Sequence, residues 1–160
     1  MINKPKNILL VGNDPDINHV IVNIFENTKW TFFQARNVDQ AYDIVCHEHV
    51  DMLINDCNVP ACNGLTLIQR LKENPQTFHV PIMILTGIMA DNEHIKKAFE
   101  LGAVDFMRKP INKVELNARV VSVLNLFDAH KQQIAGSAAI SRGKKPNFTK
   151  RIGLLEKNDV

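Results

Sequence analysis

The sequence predicts an α/β fold, a doubly wound sheet of five parallel strands with a C-terminal tail. Three observations predict it. Five short apolar or β-rich runs recur along the chain, each is followed by apolar residues at helical spacing, and Asp, Asn, Pro and Gly punctuate the junctions. Strands separated by helices run parallel, because the crossover returns the chain to the same edge, and right-handed crossovers place helices on both faces. A chain of 160 residues with 45% hydrophobic content has enough for one core and too little for two full domains. Residues 1–135 are expected to form the domain and residues 136–160 a basic tail.

The strands are expected at Ile8–Val11, Trp30–Ala35, Met52–Asn55, Pro81–Leu85 and Ala103–Met107. Asp14-Pro15 supplies an N-cap and a first-turn proline for a helix whose apolar face is Ile17, Val20, Ile21, Ile24 and Phe25. Asn37 caps the next, which carries Val38, Ala41, Ile44 and Val45. Gly64 opens a third, which stops before Pro75 because the residue ahead of proline resists helical dihedrals. Asp91 caps a fourth, which ends at Gly102, the residue type suited to a left-handed C′ position. The last helix follows Pro110, carries Val114, Val121, Leu124 and Phe127, and is expected to run to about Ile134.

Composition narrows the function classes. No run of about 18 apolar residues occurs and the N-terminus lacks the apolar segment of a signal peptide, so a cytoplasmic location and no membrane contact are expected. Cys46, Cys57 and Cys62 are odd in number and irregularly spaced, which fits reduced thiols rather than a disulfide framework or a zinc pair. His47 and His49 lie at an expected helix end and take a solvated polar role. Residues 1–135 hold 13 Lys/Arg against 15 Asp/Glu and residues 136–160 hold 6 against 2, so net charges of −2 and +4 give the overall +2. The basic character therefore belongs to the tail.

In doubly wound sheets, ligands bind beyond the C-terminal ends of the strands, at the switch point of strand order. At those ends stand Gly12, Asn13 and Asp14, then Asp56 in "LINDCNVPACNG", Thr86, and Lys109 in "DFMRKP". Together with Pro60 and Gly64, "PIMILTG", "LGAVDF" and Lys109-Pro110, this ordered set over about residues 6–130 resembles the receiver domain of bacterial response regulators. The resemblance implies a (βα)5 flavodoxin-like receiver fold and a role in two-component phosphorelay signal transduction, with no enzyme activity of its own. It makes Asp56 the acceptor of a phosphoryl group from a histidine kinase or phosphotransfer protein. Lys109 and Thr86 become the phosphoryl-binding pair, one a point charge and the other a directional donor. Thr86 and Phe106 become the switch residues, and the Lys109–Pro110 bond is expected to be cis.

One departure carries a consequence. In receivers the two residues after the first strand are acidic and hold Mg²⁺ with the acceptor Asp and a carbonyl that here belongs to Asn58; in this chain they are Gly12 and Asn13. Mg²⁺ relies on carboxylates and waters, so the expected state is Mg²⁺ bound weakly or not at all, with Asp56, Asn58 and Asp14 the ligands if it binds. Unit charges about 4 Å apart interact by roughly 4 kcal/mol at an effective dielectric of about 20, or about three decades in rate. Phosphorylation is therefore expected to be weak or dispensable. Lys109 is expected to pair directly with Asp56, and restoring acids at Gly12 and Asn13 is expected to create a Mg²⁺ site.

Output is expected through another protein, self-association or a domain outside this sequence, with the face of residues 91–106 and 111–130 as the interaction surface. The 25 residues after 135 are too few for a helix-turn-helix or catalytic domain. Within the tail Phe148, Ile152 and Leu155 fall at i, i+4 and i+7, which suits either a flexible segment or a short docking helix. The alternative reading is a nucleic-acid-associated module using this basic tail. It ranks lower, because aromatic residues are sparse there and no recognition motif is present.

Overall fold

In a computed structural model describing residues 4–56, 64–87 and 91–143, the chain alternates strictly between strands and helices. The order is β1 Asn7–Val11, α1 Pro15–Ile24, β2 Thr31–Ala35, α2 Val38–His47, β3 Met52–Asp56, α3 Gly64–Glu73, β4 Ile82–Thr86, α4 Asn92–Leu101, β5 Asp105–Arg108 and α5 Lys113–Gly143. All four strand pairings are parallel and the sheet order is β2-β1-β3-β4-β5. The expected elements are all present, with strand ends shifted by one or two residues. Asn58, Pro60, Cys57, Cys62, Phe148, Ile152 and Leu155 lie outside the described residues, as does most of the basic tail.

Pleat alternation divides the core. Leu9, Val11, Leu53, Ile82 and Ile84 join Ala41, Val45, Leu67, Ile68, Leu71 and Ala98 in one cluster, so α2, α3 and α4 cover one face. Ile8, Leu10, Met52, Ile54, Met83 and Leu85 alternate to the other face and are equally buried. Ile21, Leu116 and Val120, the buried residues of α1 and early α5, cover that second face. Burying these side chains at about 25 cal/mol per Å² of apolar surface is the main force holding the layers.

Local chemistry sets the helix ends. The Asp91 carboxylate accepts from His94 N at 2.8 Å, and the Asn37 side chain from Gln40 N at 2.9 Å. Gly102 ends α4 in the left-handed region at φ 119°, with the Lys72 stem so close that a Cβ would stand 2.9 Å from its Cγ. His47 and His49 bond Asp43 and Asp51 at the lower end of the sheet.

The last helix corrects the sequence expectation twice. Asn112 caps it through Glu115 N at 3.0 Å, and the stripe that enters the core is Leu116, Val120, Val123 and Leu124. Val114 was expected on that stripe but is 80% exposed, since two residues rotate it about 200° from Leu116. The helix also passes Ile134 and continues to Gly143, where a flexible start to the tail was expected. Ala135, Ala138 and Ala139 are strong helix formers and offset the interior Gly136.

The chain divides within α5 into a compact unit ending at Leu124 and a second unit beginning at Asn125. In the second, Leu126 and Ile134 are exposed on a continuous helix. Among the described residues, no helix is long and apolar enough to cross a membrane.

Candidate functional site

The strand order reverses between β1 and β3, where β1 has β2 on one side and β3 on the other. Chain direction therefore brings the C-terminal ends of β1, β3, β4 and β5 to one edge. Asp56 is the last residue of β3, Thr86 the last of β4, Lys109 follows β5, and Gly12 follows β1.

Asp56 is only 4% exposed, and the Lys109 ammonium donates to both of its oxygens, at 2.8 Å to Oδ1 and 2.7 Å to Oδ2. The lysine is held from its backbone as well, since Lys109 N donates to Thr86 O at 2.8 Å. A charge-assisted pair of this kind offsets the desolvation of the carboxylate. The Lys109–Pro110 peptide bond is cis.

The Thr86 hydroxyl is buried and donates a long 3.5 Å bond to Met107 O, so it rests against β5. Phe106, on the neighbouring strand, is half-buried and meets Phe99 of α4 edge to face, with centroids 5.8 Å apart at 87°. This partner was not read from the sequence, because α4 periodicity alone does not reveal which strand residue Phe99 reaches. Arg119 was also missed: it forks onto Asp105 at 3.0 and 3.1 Å and onto Glu115 at 3.0 Å. Its hydrogen bonds to Asp105 and then Glu115 raise the guanidinium pKa further above its ordinary value. Only the i, i+4 spacing of Glu115 and Arg119 could have signalled it.

The acidic-pocket positions separate. Asp14 turns to its own helix, accepting from Asp16 N at 3.0 Å and Ile17 N at 3.3 Å as the N-cap of α1. Asn13 is exposed. Gly12 packs on Asp56 so closely that a Cβ would lie 2.9 Å from the Asp56 Cβ, and its N–H continues the ladder to Ala35 O at 2.9 Å. Among the described residues, both Asp56 oxygens accept from the Lys109 ammonium, the Asp14 carboxylate caps α1, and Gly12 carries no carboxylate. Among the described residues, no group of three or more His, Cys, Asp or Glu could hold a metal.

A doubly wound (βα)5 sheet with a carboxylate, a hydroxyl and an ammonium gathered at its switch point defines a class of flavodoxin-like signalling domains. Comparison with known proteins gives the family: residues 8–121 match the model of the response regulator receiver domain, and the chain belongs to that family. It is 32% identical over 120 residues to the transcriptional regulatory protein CrdR of Helicobacter pylori, covering 75% of this chain and 55% of that protein. It is 31% identical over 119 residues to the phosphate regulon transcriptional regulatory protein PhoB of Pseudomonas aeruginosa, covering 74% and 52%. The chain thus spans about half the length of these curated relatives. The crystal structure of a response regulator from Desulfuromonas acetoxidans superposes with a TM-score of 0.66 at 30% identity, covering 76% of this chain and 98% of that one.

Proposed function

We propose that this receiver module signals with little or no dependence on Mg²⁺-assisted phosphorylation, and that Lys109 serves as the standing counter-ion of Asp56. The observation that carries this reading is the ammonium bonded to both carboxylate oxygens. Attack by Asp56 on a phosphohistidine would form a P–O bond as the P–N bond breaks and electrons pass to the imidazole. For that, Lys109 must first release one oxygen and then hold the phosphoryl oxygens with Thr86 and without a metal. Without carboxylates at Gly12 and Asn13 to recruit a metal, transfer is slow and the resting state is favoured.

The module acts in the cytoplasm through protein contacts and carries no catalytic activity of its own. An open apolar groove of about 270 Å³ between Ile17 and Val20 of α1 and Pro110 and Ile111 lies beside Lys109, and suits a helix of a histidine kinase or phosphotransfer protein. Output, to a partner protein or a second copy, uses α4, β5 and α5 as far as Leu124, where Phe99 is 41% exposed beside Phe106. The test is incubation with a small phosphodonor, with and without Mg²⁺, followed by intact mass. Slow, substoichiometric addition that Mg²⁺ does not accelerate is expected. Rapid, complete, Mg²⁺-dependent addition at Asp56 overturns the reading.

A further inference from the structure

β2 is an edge of the sheet, bonded to β1 alone, and its backbone groups alternate between the two sides. Thr31 N donates to Lys6 O at 2.8 Å and Ala35 O accepts from Gly12 N at 2.9 Å, so Thr31, Phe33 and Ala35 face β1. The N–H and C=O groups of Phe32 and Gln34 therefore point outward, and among the described residues none of these four has a partner. On either side the edge closes, because Trp30 N donates to Thr28 Oγ1 at 3.3 Å and Arg36 N to Gln40 Oε1 at 2.9 Å. We propose that β2 pairs antiparallel with β2 of a second copy of this chain, joining the two sheets edge to edge about a two-fold axis at Phe33.

The open stretch is complementary to itself. In an antiparallel ladder, directly opposite residues at every second position exchange both of their N–H···O bonds. Setting Phe32 against Gln34 of the second copy, and Gln34 against its Phe32, uses every open group on both chains and places Phe33 against Phe33. A shift of two residues sets Phe32 against Arg36, or Gln34 against Trp30, whose N–H groups are already taken. Such a contact is isologous and closes at two copies.

The charges agree with this register. Thr31–Ala35 carries neither a charged residue nor a proline, the means by which edge strands are kept apart, whereas β5 at the other edge carries Asp105 and Arg108. The flanking cations Lys29 and Arg36 fall opposite Asn37 and Trp30 of the second copy, so like charges do not meet. Phe25 stacks on Trp30 at 4.6 Å and on Phe32 at 6.2 Å, which holds the edge in place before pairing and reduces the ordering cost. The pairing uses the edge opposite β5, so it is separate from the output face there and does not depend on how Asp56 is used.

The full-length chain is followed by analytical ultracentrifugation and backbone amide exchange, from dilute solution up to about 1 mM. A reversible monomer–dimer equilibrium is expected, with exchange at Phe32 and Gln34 slowing as the dimer fills while Thr31 and Phe33, bonded to β1, are slow throughout. Gln34→Pro removes one outward N–H at an edge position that tolerates proline, and should weaken the dimer by at least about tenfold. Gln34→Thr keeps that N–H and should dimerise as the wild type does. A monomer at every concentration overturns the proposal, whether or not a strand of another protein binds the edge. So does a dimer in which Phe32 and Gln34 exchange at the monomer rate, or one that a folded Gln34→Pro leaves intact. Should Gln34→Pro fail to fold, the wild-type exchange rates at Phe32 and Gln34 decide alone.

Discussion

The backbone of Gly12 passes so close to Asp56 that a Cβ on the glycine would stand 2.9 Å from the Cβ of the aspartate. Both atoms are fixed to backbone at the ends of adjacent strands, so neither can swing aside as a side-chain tip would. The glycine is therefore a packing requirement of the observed site as well as a missing metal ligand. Gly12→Ala should destabilise the fold by about 1–3 kcal/mol, the usual cost of overpacking a tight core, read by urea denaturation.

The same contact revises the expectation that restoring two acids would create a Mg²⁺ site. Gly12→Asp with Asn13→Asp is now expected to unfold at lower urea than the wild type and to show no saturable Mg²⁺ binding by calorimetry. A stable double variant with a site of tens of micromolar affinity would show that the β1 end relaxes and that charge alone limits the metal.

Lys109→Met tests the pair itself. Removing the ammonium from a carboxylate whose side chain is 5% exposed should cost about 1–3 kcal/mol, below the full range for a buried pair because Lys109 keeps 17% of its side-chain exposure. Lys109→Met combined with Asp56→Asn should recover part of that loss, since the desolvated charge is gone. Additive losses in the double variant would mean the two residues act independently.

Asp14 offers a clean separation of roles, because its carboxylate is bonded to Asp16 N and Ile17 N. Asp14→Ala should cost about 0.5–2 kcal/mol as a lost N-cap and Asp14→Ser much less, with no change in any Mg²⁺ response. Equal behaviour of Ala and Ser in thermal unfolding would remove the capping role.

What the sequence made legible follows from where the information lies. Strands and helix caps are local: Asp14, Asn37, Asp91 and Gly102 act within a turn of their positions, and each is found doing so. Asp56 and Lys109 are 53 residues apart, yet their meeting was legible because a parallel sheet forces strand ends to one edge. Phe99 on Phe106 and Arg119 on Asp105 were not, since each depends on the rotation of a helix about its axis. The misassigned Val114 shows the same limit: a few apolar residues at mixed spacing fit more than one helix face, and the Asn112 cap selects among them. Lys72 was missed for a related reason, being a basic residue in a last turn whose loop partners no periodicity indicates.

Lys72 is the remaining test, and it is set by pH. Its ammonium donates to Phe78 O at 2.8 Å and Val80 O at 3.0 Å, closing the turn between α3 and β4, while its stem packs under Gly102. Burial lowers its pKa below the ordinary 10.5, because the charged form is desolvated. The folded state therefore gives up the proton at a lower pH than the unfolded state does. Between the two values the unfolded chain binds more protons, so this group's contribution to stability rises with pH across that window, and below it the desolvation cost is fully present. Lys72→Met removes both the titration and two donors, and should destabilise at neutral pH by about 1–2 kcal/mol, since two carbonyls lose their partner. The gap between wild type and variant should widen as pH climbs from neutrality toward about 10.5. Urea unfolding of both proteins at intervals across that range measures it. A gap that narrows would mean that the bonds to the two carbonyls need the charge, and that losing it costs more than the recovered solvation.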